Sequence, residues 1–254
     1  MEPLTARPRP LRPASNPLGG PIVHLDVTGS TNDAARTLAA AGAPDGTLVI
    51  AEEQTAGRGR QGRSWSAPRG RSLIVSIVVR GGARLLEILP LATPLAVCAA
   101  CERVAGVRCA VKWPNDVWID GRKVAGILIE GRPQERWAVA GIGLNADIAE
   151  EDLDPALRDR ATSLRIATGR PVDRTEILAA LLAGLAEVRK RSPESVLSEL
   201  RERDALYGRR ISWRAGSKHL EGEAAGIDDQ GRLVVFDETE RRHALEAGEV
   251  HLTS

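Results

Sequence analysis

From Leu73 to Val79 the chain reads LIVSIVV, apolar at every position but one. A strand with one covered face alternates apolar and polar residues. A run without alternation therefore asks for cover on both faces, which makes it a central strand with further layers on each side. It is also far shorter than the roughly 20 apolar residues that a bilayer crossing needs, and no transmembrane helix is expected. Around it, Ile22 to Val27, Thr47 to Glu53, Val107 to Trp113, Val117 to Ile119, Lys123 to Glu130 and Arg136 to Asn145 read as further strands, with Asp120-Gly121 as a hairpin turn. Ser30-Thr31-Asn32-Asp33 offers a capping box to a helix through AARTLAAAG. A second helix is predicted from about 88 to 105, with Pro90 and Pro94 near its start, and helical spacing returns between about 174 and 206. Strands and helices are mixed rather than strictly alternating, which predicts an α+β fold with a mixed sheet.

Composition shifts divide the chain. Residues 1–21, rich in Pro and Arg and without an apolar period, are expected to form a flexible arm. Residues 22–206 carry the main unit. Residues 207–254 change to short strands divided by Ala215-Gly216-Ser217 and Asp228-Asp229-Gln230-Gly231; they are too few to build much core alone and predict a small β-barrel docked on the main unit. With 35 basic against 34 acidic residues the net charge is +1, which excludes a broad nucleic-acid or membrane surface held by bulk charge. Any basic site must be local. The N-terminus lacks the apolar stretch of a secretory signal, so a cytoplasmic location is expected. Cys98, Cys101 and Cys109 are an odd number; Cys98 and Cys101 share one helical face among alanines, with no second pair at zinc spacing, and are read as packing residues.

Three segments carry chemistry. In Gln54-Thr-Ala-Gly57-Arg58-Gly59-Arg60-Gln61-Gly62-Arg63-Ser-Trp65, glycines let backbone N–H groups approach an oxyanion while guanidinium forks grip it, which suits a phosphate held by a loop that orders around it. A solvated Gly/Arg loop and an RNA-binding patch are the alternatives, and no GxxxxGK[ST] pattern is present. In Val111-Lys112-Trp113-Pro114-Asn115-Asp116, Pro114 biases Trp113 toward extended geometry, so Lys112 ends a strand and is aimed by it; only four lysines (112, 123, 190, 218) stand among the 35 basic residues. In Gly141-Ile142-Gly143-Leu144-Asn145 the glycines permit close approach of a ligand or a neighbouring backbone, and Asn145 offers an amide oxygen to a hydrated magnesium ion or a phosphate-bound water.

Taken in order, Ser30-Thr31-Asn32, AEEQTAGRGRQGRSW (51–65), KWPND (112–116), KVAGILIE (123–130) and GIGLN (141–145) resemble the biotin protein ligases, over roughly 22–254. The resemblance implies a class II synthetase-like biotin/lipoate ligase catalytic domain with a small SH3-like C-terminal barrel. It also implies that biotin and ATP give biotinyl-5′-AMP, and that the acyl group then passes to a lysine of a biotin carboxyl carrier domain of an acetyl-CoA or pyruvate-type carboxylase. By the same resemblance Ser30, Thr31, Asn32 and Gln54 take biotin's ring system; Arg58, Gly59 and Arg60 fold over the adenylate, with Arg63 near the phosphates and Trp65 as an apolar wall. Lys112 matches a lysine touching both the biotin carboxylate and the α-phosphate, which makes Lys112, Arg58 and Arg60 the expected catalytic residues. Asn145 matches a residue near the triphosphate and magnesium (Mg2+). Members of that family dimerise through sheet edges, so a homodimer is allowed; the short arm in place of a winged helix-turn-helix argues against specific DNA binding. A lipoate or octanoate ligase is the nearest rival, although its Arg-rich SGGG-type stretch with a following His is not found. An RNA-binding module is the rival from another class, at odds with 3% aromatic content and the near-neutral charge.

Overall fold

The computed structural model describes residues 11, 13–215, 218–246 and 250–253. Seven strands, β1 (Ile22–Thr28), β2 (Leu48–Gln54), β3 (Ser72–Arg80), β4 (Ala110–Lys112), β5 (Asp116–Ile119), β6 (Arg122–Arg132) and β7 (Trp137–Asn145), form one sheet in the order β1-β2-β3-β7-β6-β5-β4. β1 and β2 are parallel, joined by the crossover helix α1 (Thr31–Ala40), and the other neighbours are antiparallel. The mixed sheet is thus the one expected. LIVSIVV is the middle of β3, between β2 and β7, and is buried throughout; its single polar residue, Ser76, faces α1 and the site described below.

The faces are covered unequally. α1 seals part of one face over Val49, Val78, Trp137 and Val139. The other face carries the main core under α2 (Ala83–Ala105), α3 (Leu164–Thr168), α4 (Arg174–Val188) and α5 (Pro193–Glu202). α2 is long and apolar enough, by length and composition, to cross a membrane, but here it is the central helix of that core, packed on α4 and α5, with Leu95 to Cys98 buried. It starts at Ala83 rather than near residue 88, because the N–H groups of Leu85 and Leu86 bond to the Gly82 carbonyl and form its first turn ahead of the prolines. Pro90 and Pro94 therefore lie inside the helix. Cys98, Cys101 and Cys109 are free thiols within the core, in line with packing roles. The predicted strand from Val107 shortens to Ala110–Lys112, since the Cys109 N–H turns aside to the Glu102 carboxylate. Asp120 and Gly121 both adopt positive φ, as a tight hairpin turn requires.

The remaining strands, β8 (Arg210–Ala215), β9 (Lys218–Ile227), β10 (Leu233–Asp237), β11 (Arg242–Leu245) and β12 (Val250–Leu252), form an antiparallel sheet in the order β11-β10-β9-β8-β12. Of the predicted Ala215-Gly216-Ser217 divide, residues 216 and 217 lie outside the described residues. Ile211, Trp213, Leu233 and Val235 belong to the same hydrophobic core as α2 and α5, so the small sheet shares its interior with the large one.

The expected arm lies partly outside the described residues, and its described part is not detached. Leu11 is 1% exposed and its N–H donates to Glu52 Oε1 at 2.6 Å, while the Asn16 amide donates to the carbonyls of Gly20 and Gly46. Glu52 is buried and also accepts from Arg174 (2.9 Å) and lies 3.1 Å from His24 Nε2. Burial alone raises the pKa of such a carboxyl, but the Leu11 amide, Arg174 and His24 together hold it below the usual carboxylate range. A pKa depressed on folding contributes stability that is present above the unfolded value and lost as pH falls through the folded one. Replacing Arg174 by Met leaves the carboxylate buried without its cation and should cost about 3–5 kcal/mol in denaturant unfolding. A loss within about 0.5 kcal/mol, the size of an ordinary surface change, would contradict this account.

Candidate active site

Strand register fixes which side chains share the open face. Ile74, Gly143, Gly126, Asp116 and Lys112 align in one row across β3, β7, β6, β5 and β4, and Ser76, Gly141 and Leu128 form the next. Directly opposed residues project to the same face, so Gly126, Gly141 and Gly143 leave a strip of bare backbone there. What lies on the strip requires them. A Cβ at Gly141 would stand 2.0 Å from Asn32 Oδ1, and one at Gly143 would stand 2.4 Å from Trp65 Cε2.

At the α1 end the strip meets a buried polar cluster. Ser30, Thr31 and Asn32 are each under 5% exposed. The Thr31 N–H and hydroxyl donate to Gln54 Oε1 at 2.7 and 3.0 Å, and Asn32 Nδ2 donates to Glu130 Oε2 at 2.7 Å. Ser76 Oγ–H lies within 2.8 Å of Thr31 Oγ1 and 2.7 Å of Asn32 Oδ1. Ser30 occupies the N-cap of α1, but its side chain makes no capping bond, so the capping box read from the sequence does not form. Ser76 and Glu130 were not singled out by sequence; the lone polar residue inside LIVSIVV was the available signal for Ser76.

At the other end stands a lysine, and it is Lys123 rather than Lys112. Lys123 Nζ is 2.7 Å from Asp116 Oδ1, 5.6 Å from the centroid of the Trp65 ring, and 3.0 Å from where a Gly126 Cβ would be. Lys112 shares the row, but its backbone is two strand spacings, about 10 Å, from Gly126. Its ammonium lies over Trp118, 5.4 Å from the ring centroid. The strand does aim Lys112, but over Trp118 rather than over the glycine strip. The scarcity of lysines applied equally to Lys123 and was the signal that could have found it.

The Gly/Arg segment is a tight hairpin. Gly59 N–H donates to Arg63 O at 2.7 Å and Trp65 N–H to Gly57 O at 2.9 Å, with Gln61 and Gly62 at positive φ on the tip. A Cβ on Gly57 would fall 2.4 Å from the Trp65 carbonyl, so the closure itself needs glycine there. The segment expected to order around a ligand thus has a hairpin's backbone bonds of its own. The hairpin lays the Trp65 ring on the glycine strip, where its buried Nε1 has no hydrogen-bond partner among the described residues. Its three arginines diverge instead of converging on one point. Arg58 forks onto Asp33 (2.7 Å) and reaches Glu130 (3.4 Å), Arg60 reaches Asn115 Oδ1 (3.5 Å), and Arg63 is exposed. The Arg58 fork holds the Asp33 carboxyl below the usual carboxylate range.

Asn145 is buried at the end of β7, and its Nδ2 donates to Thr162 O at 3.0 Å, tying down the loop that follows the strand. Among the described residues no three His, Cys, Asp or Glu side chains converge to hold a metal ion. The described donor set therefore builds no magnesium cage of its own.

This architecture is that of the biotin and lipoate ligases: residues 25–147 match the family model described as Biotin/lipoate A/B protein ligase family, and residues 207–252 match Biotin protein ligase C terminal domain. The biotin–[acetyl-CoA-carboxylase] ligase of Mycobacterium tuberculosis is 37% identical over 89% of this chain and 88% of its own length. The bifunctional ligase/repressor BirA of Bacillus spizizenii is 36% identical over 86% of this chain and 70% of its own. The biotin protein ligase from Aquifex aeolicus, solved in complex with biotin and ATP, superposes with a TM-score of 0.78 at 25% identity, covering 91% of this chain and 99% of that one. The chain belongs to the biotin protein ligase family.

If the glycine strip is what seats the indole, Gly143→Ala should push Trp65 off it. Amide hydrogen exchange should then accelerate across residues 57–65 and stay unchanged in α1. Equal protection of the hairpin in both proteins would show that Trp65 does not depend on the strip.

Proposed function

We propose that the chain is an ATP-dependent biotin protein ligase. The biotin carboxylate attacks the α-phosphorus of ATP, giving biotinyl-5′-AMP and pyrophosphate. A lysine amine of a biotin carboxyl carrier domain, on an acetyl-CoA or pyruvate-type carboxylase, then attacks the acyl carbon and AMP leaves. The observation that carries the reading is the order of environments along one face: buried hydroxyls and amides, then a strip of bare backbone under an indole, then an ammonium. That order mirrors a ureido ring, an alkyl chain and a carboxylate.

In this reading Ser30, Thr31, Asn32 and Gln54, joined by Ser76, pair with the ureido group, whose burial without partners would be costly. Gly141, Gly143 and Gly126 admit the alkyl chain once the Trp65 indole lifts from the strip that it covers. Lys123 bridges the carboxylate and the α-phosphate and offsets their repulsion as the oxygen–phosphorus bond forms. Asp116 keeps that ammonium over the strip. Arg60, Arg63 and the Gly59 backbone close over the adenylate; Arg58 joins them by exchanging Asp33 and Glu130 for phosphate oxygens. Lys112 lies farther out, on the triphosphate side, and Asn145 shapes the loop bordering the nucleotide. Most of the rate comes from alignment and fixed charge, since an in-line displacement needs little else.

The proposal includes 22–206 as the catalytic unit and 207–254 as its accessory sheet, a cytoplasmic setting where ATP is at hand, and a homodimer through the outer edge of β1, since the β4 edge is bonded to residues 203–205. The lipoate reading is less favoured, because a biotin-specific C-terminal model matches. The RNA reading is disfavoured by the 3% aromatic content, the near-neutral charge and the biotin ligase family match.

ATP–pyrophosphate exchange by the purified chain should require biotin and be absent with lipoate or octanoate. Equal exchange with lipoate would remove the biotin assignment. Within that assay Lys123→Met should cut adenylate formation by about 100-fold or more, and Lys112→Met by about tenfold or less. The reverse order would return the bridging role to Lys112.

A further inference from the structure

The mechanism above makes no use of the small sheet, yet that sheet touches the active-site turn at one buried point. Trp113 is 3% exposed, and its Nε1–H donates to the Gly231 carbonyl, in the turn between β9 and β10, at 3.0 Å. The turn is itself held from both sides. Leu91 of α2 packs so closely on Gly231 that a Cβ there would lie 2.5 Å from Leu91 Cδ1, and Arg201 of α5 bonds to Ile227 O and Asp229. Gly231 has φ +76°, which favours glycine.

The residues that follow Trp113 hold the cations. Asn115 exchanges two bonds with Ile127 of β6, accepting from its N–H (2.9 Å) and donating to its carbonyl (3.0 Å), and receives Arg60 Nη1 on Oδ1. Asp116, next in the chain, pairs with Lys123. One short turn thus connects the small sheet, the hairpin arginine and the lysine over the strip. A cleft of about 530 Å³ separates them, with Arg60 and Asn115 on one wall, Gly231 and Arg232 on the other, and Trp113 in its lining. Across such a gap the indole bond is a direct polar tie from the small sheet to the turn, added to the Asn115–Ile127 bonds and the strand pairing that hold it from the large sheet. The Ser30–Gln54 cluster is built instead on α1, β2 and β3, and does not draw on this turn.

We propose that Trp113 is a positioning residue: its hydrogen bond to Gly231 uses the C-terminal sheet to place the Asn115–Asp116 turn, and through it Arg60 and Lys123, against the phosphates of ATP. The inference rests on the functional reading above and assigns the small sheet a part in nucleotide affinity rather than in biotin affinity. Trp113→Phe keeps an aromatic ring and removes the donor, leaving the Gly231 carbonyl buried without it.

The test uses the full chain and measures KM for ATP in pyrophosphate exchange beside the dissociation constant for biotin by titration. Trp113→Phe should raise the ATP KM about tenfold and leave biotin binding within about twofold. Gly231→Ala, strained at its φ and pressed against Leu91, should give the same split from the other side of the bond, and it decides the matter if the Phe variant does not fold. An unchanged ATP KM in the variant that folds, or equal losses for ATP and biotin, would overturn the proposal by marking the contact as inert or as general packing. Absence of biotin-dependent exchange in the unaltered protein would instead overturn the functional reading, so the two failures are distinct.

Discussion

Everything in the site is arranged around backbone that carries no side chains. Where β6 and β7 meet, Gly126 opposes Gly143, and Gly141 lies two residues along, so the open face of a well-filled sheet has a trough in its middle. Glycine inside strands weakens them through the extra conformational freedom lost on folding. These positions keep it because Asn32 and Trp65 already press to within van der Waals distance of the bare chain. Any Cβ there would lift the indole, and the hairpin that carries it would lose its seat.

The trough also explains how the charges are handled. Cations that are to meet phosphate must be held in place before it arrives without being neutralised beyond use. Here each has a moderate partner: Lys123 has Asp116, Arg58 has Asp33 and Glu130, and Arg60 has the neutral amide of Asn115. These groups are half-buried or exposed, so each pairing is weak in net terms and can be exchanged for a dianionic ligand. The polar end is built differently. Its hydroxyls and amides are buried and bonded to one another, which preorganises them for a neutral, multiply hydrogen-bonding group.

Much of this was legible in the sequence, and the reasons for the rest are physical. The apolar run at 73–79, interrupted only by Ser76, identified a central strand because a strand buried on both faces does not alternate. The Ser30-Thr31-Asn32 and Gln54 set came from the resemblance to biotin protein ligases; read locally, Ser30 to Asp33 offered only a helix cap. Lys112 was singled out because Pro114 gives it a visible local constraint and the family resemblance pointed to it, whereas the position of Lys123 depends on the register of β6 against β5 and β7, and pairing across strands leaves no local mark. Ser76 and Glu130 were missed for the same reason: what makes them matter is a neighbour about 45 or 98 residues away. The arm was read as free because its composition is that of a linker, and the single leucine that docks at Glu52 is too small a signal to offset six prolines and three arginines. The Trp113–Gly231 bond, spanning 118 residues, is invisible to any local pattern.

The central claim is that one ligand lies along the glycine strip with its anionic centre at Lys123. A crystal structure of the chain with biotinyl-5′-AMP tests it most directly. The account predicts the bicyclic ring against Ser30, Thr31 and Gln54, the alkyl chain over Gly141 and Gly143, and the phosphate within hydrogen-bond reach of Lys123 and Arg60. A phosphate seated elsewhere, with those two cations turned outward into solvent and Trp65 still flat on the strip, would contradict it.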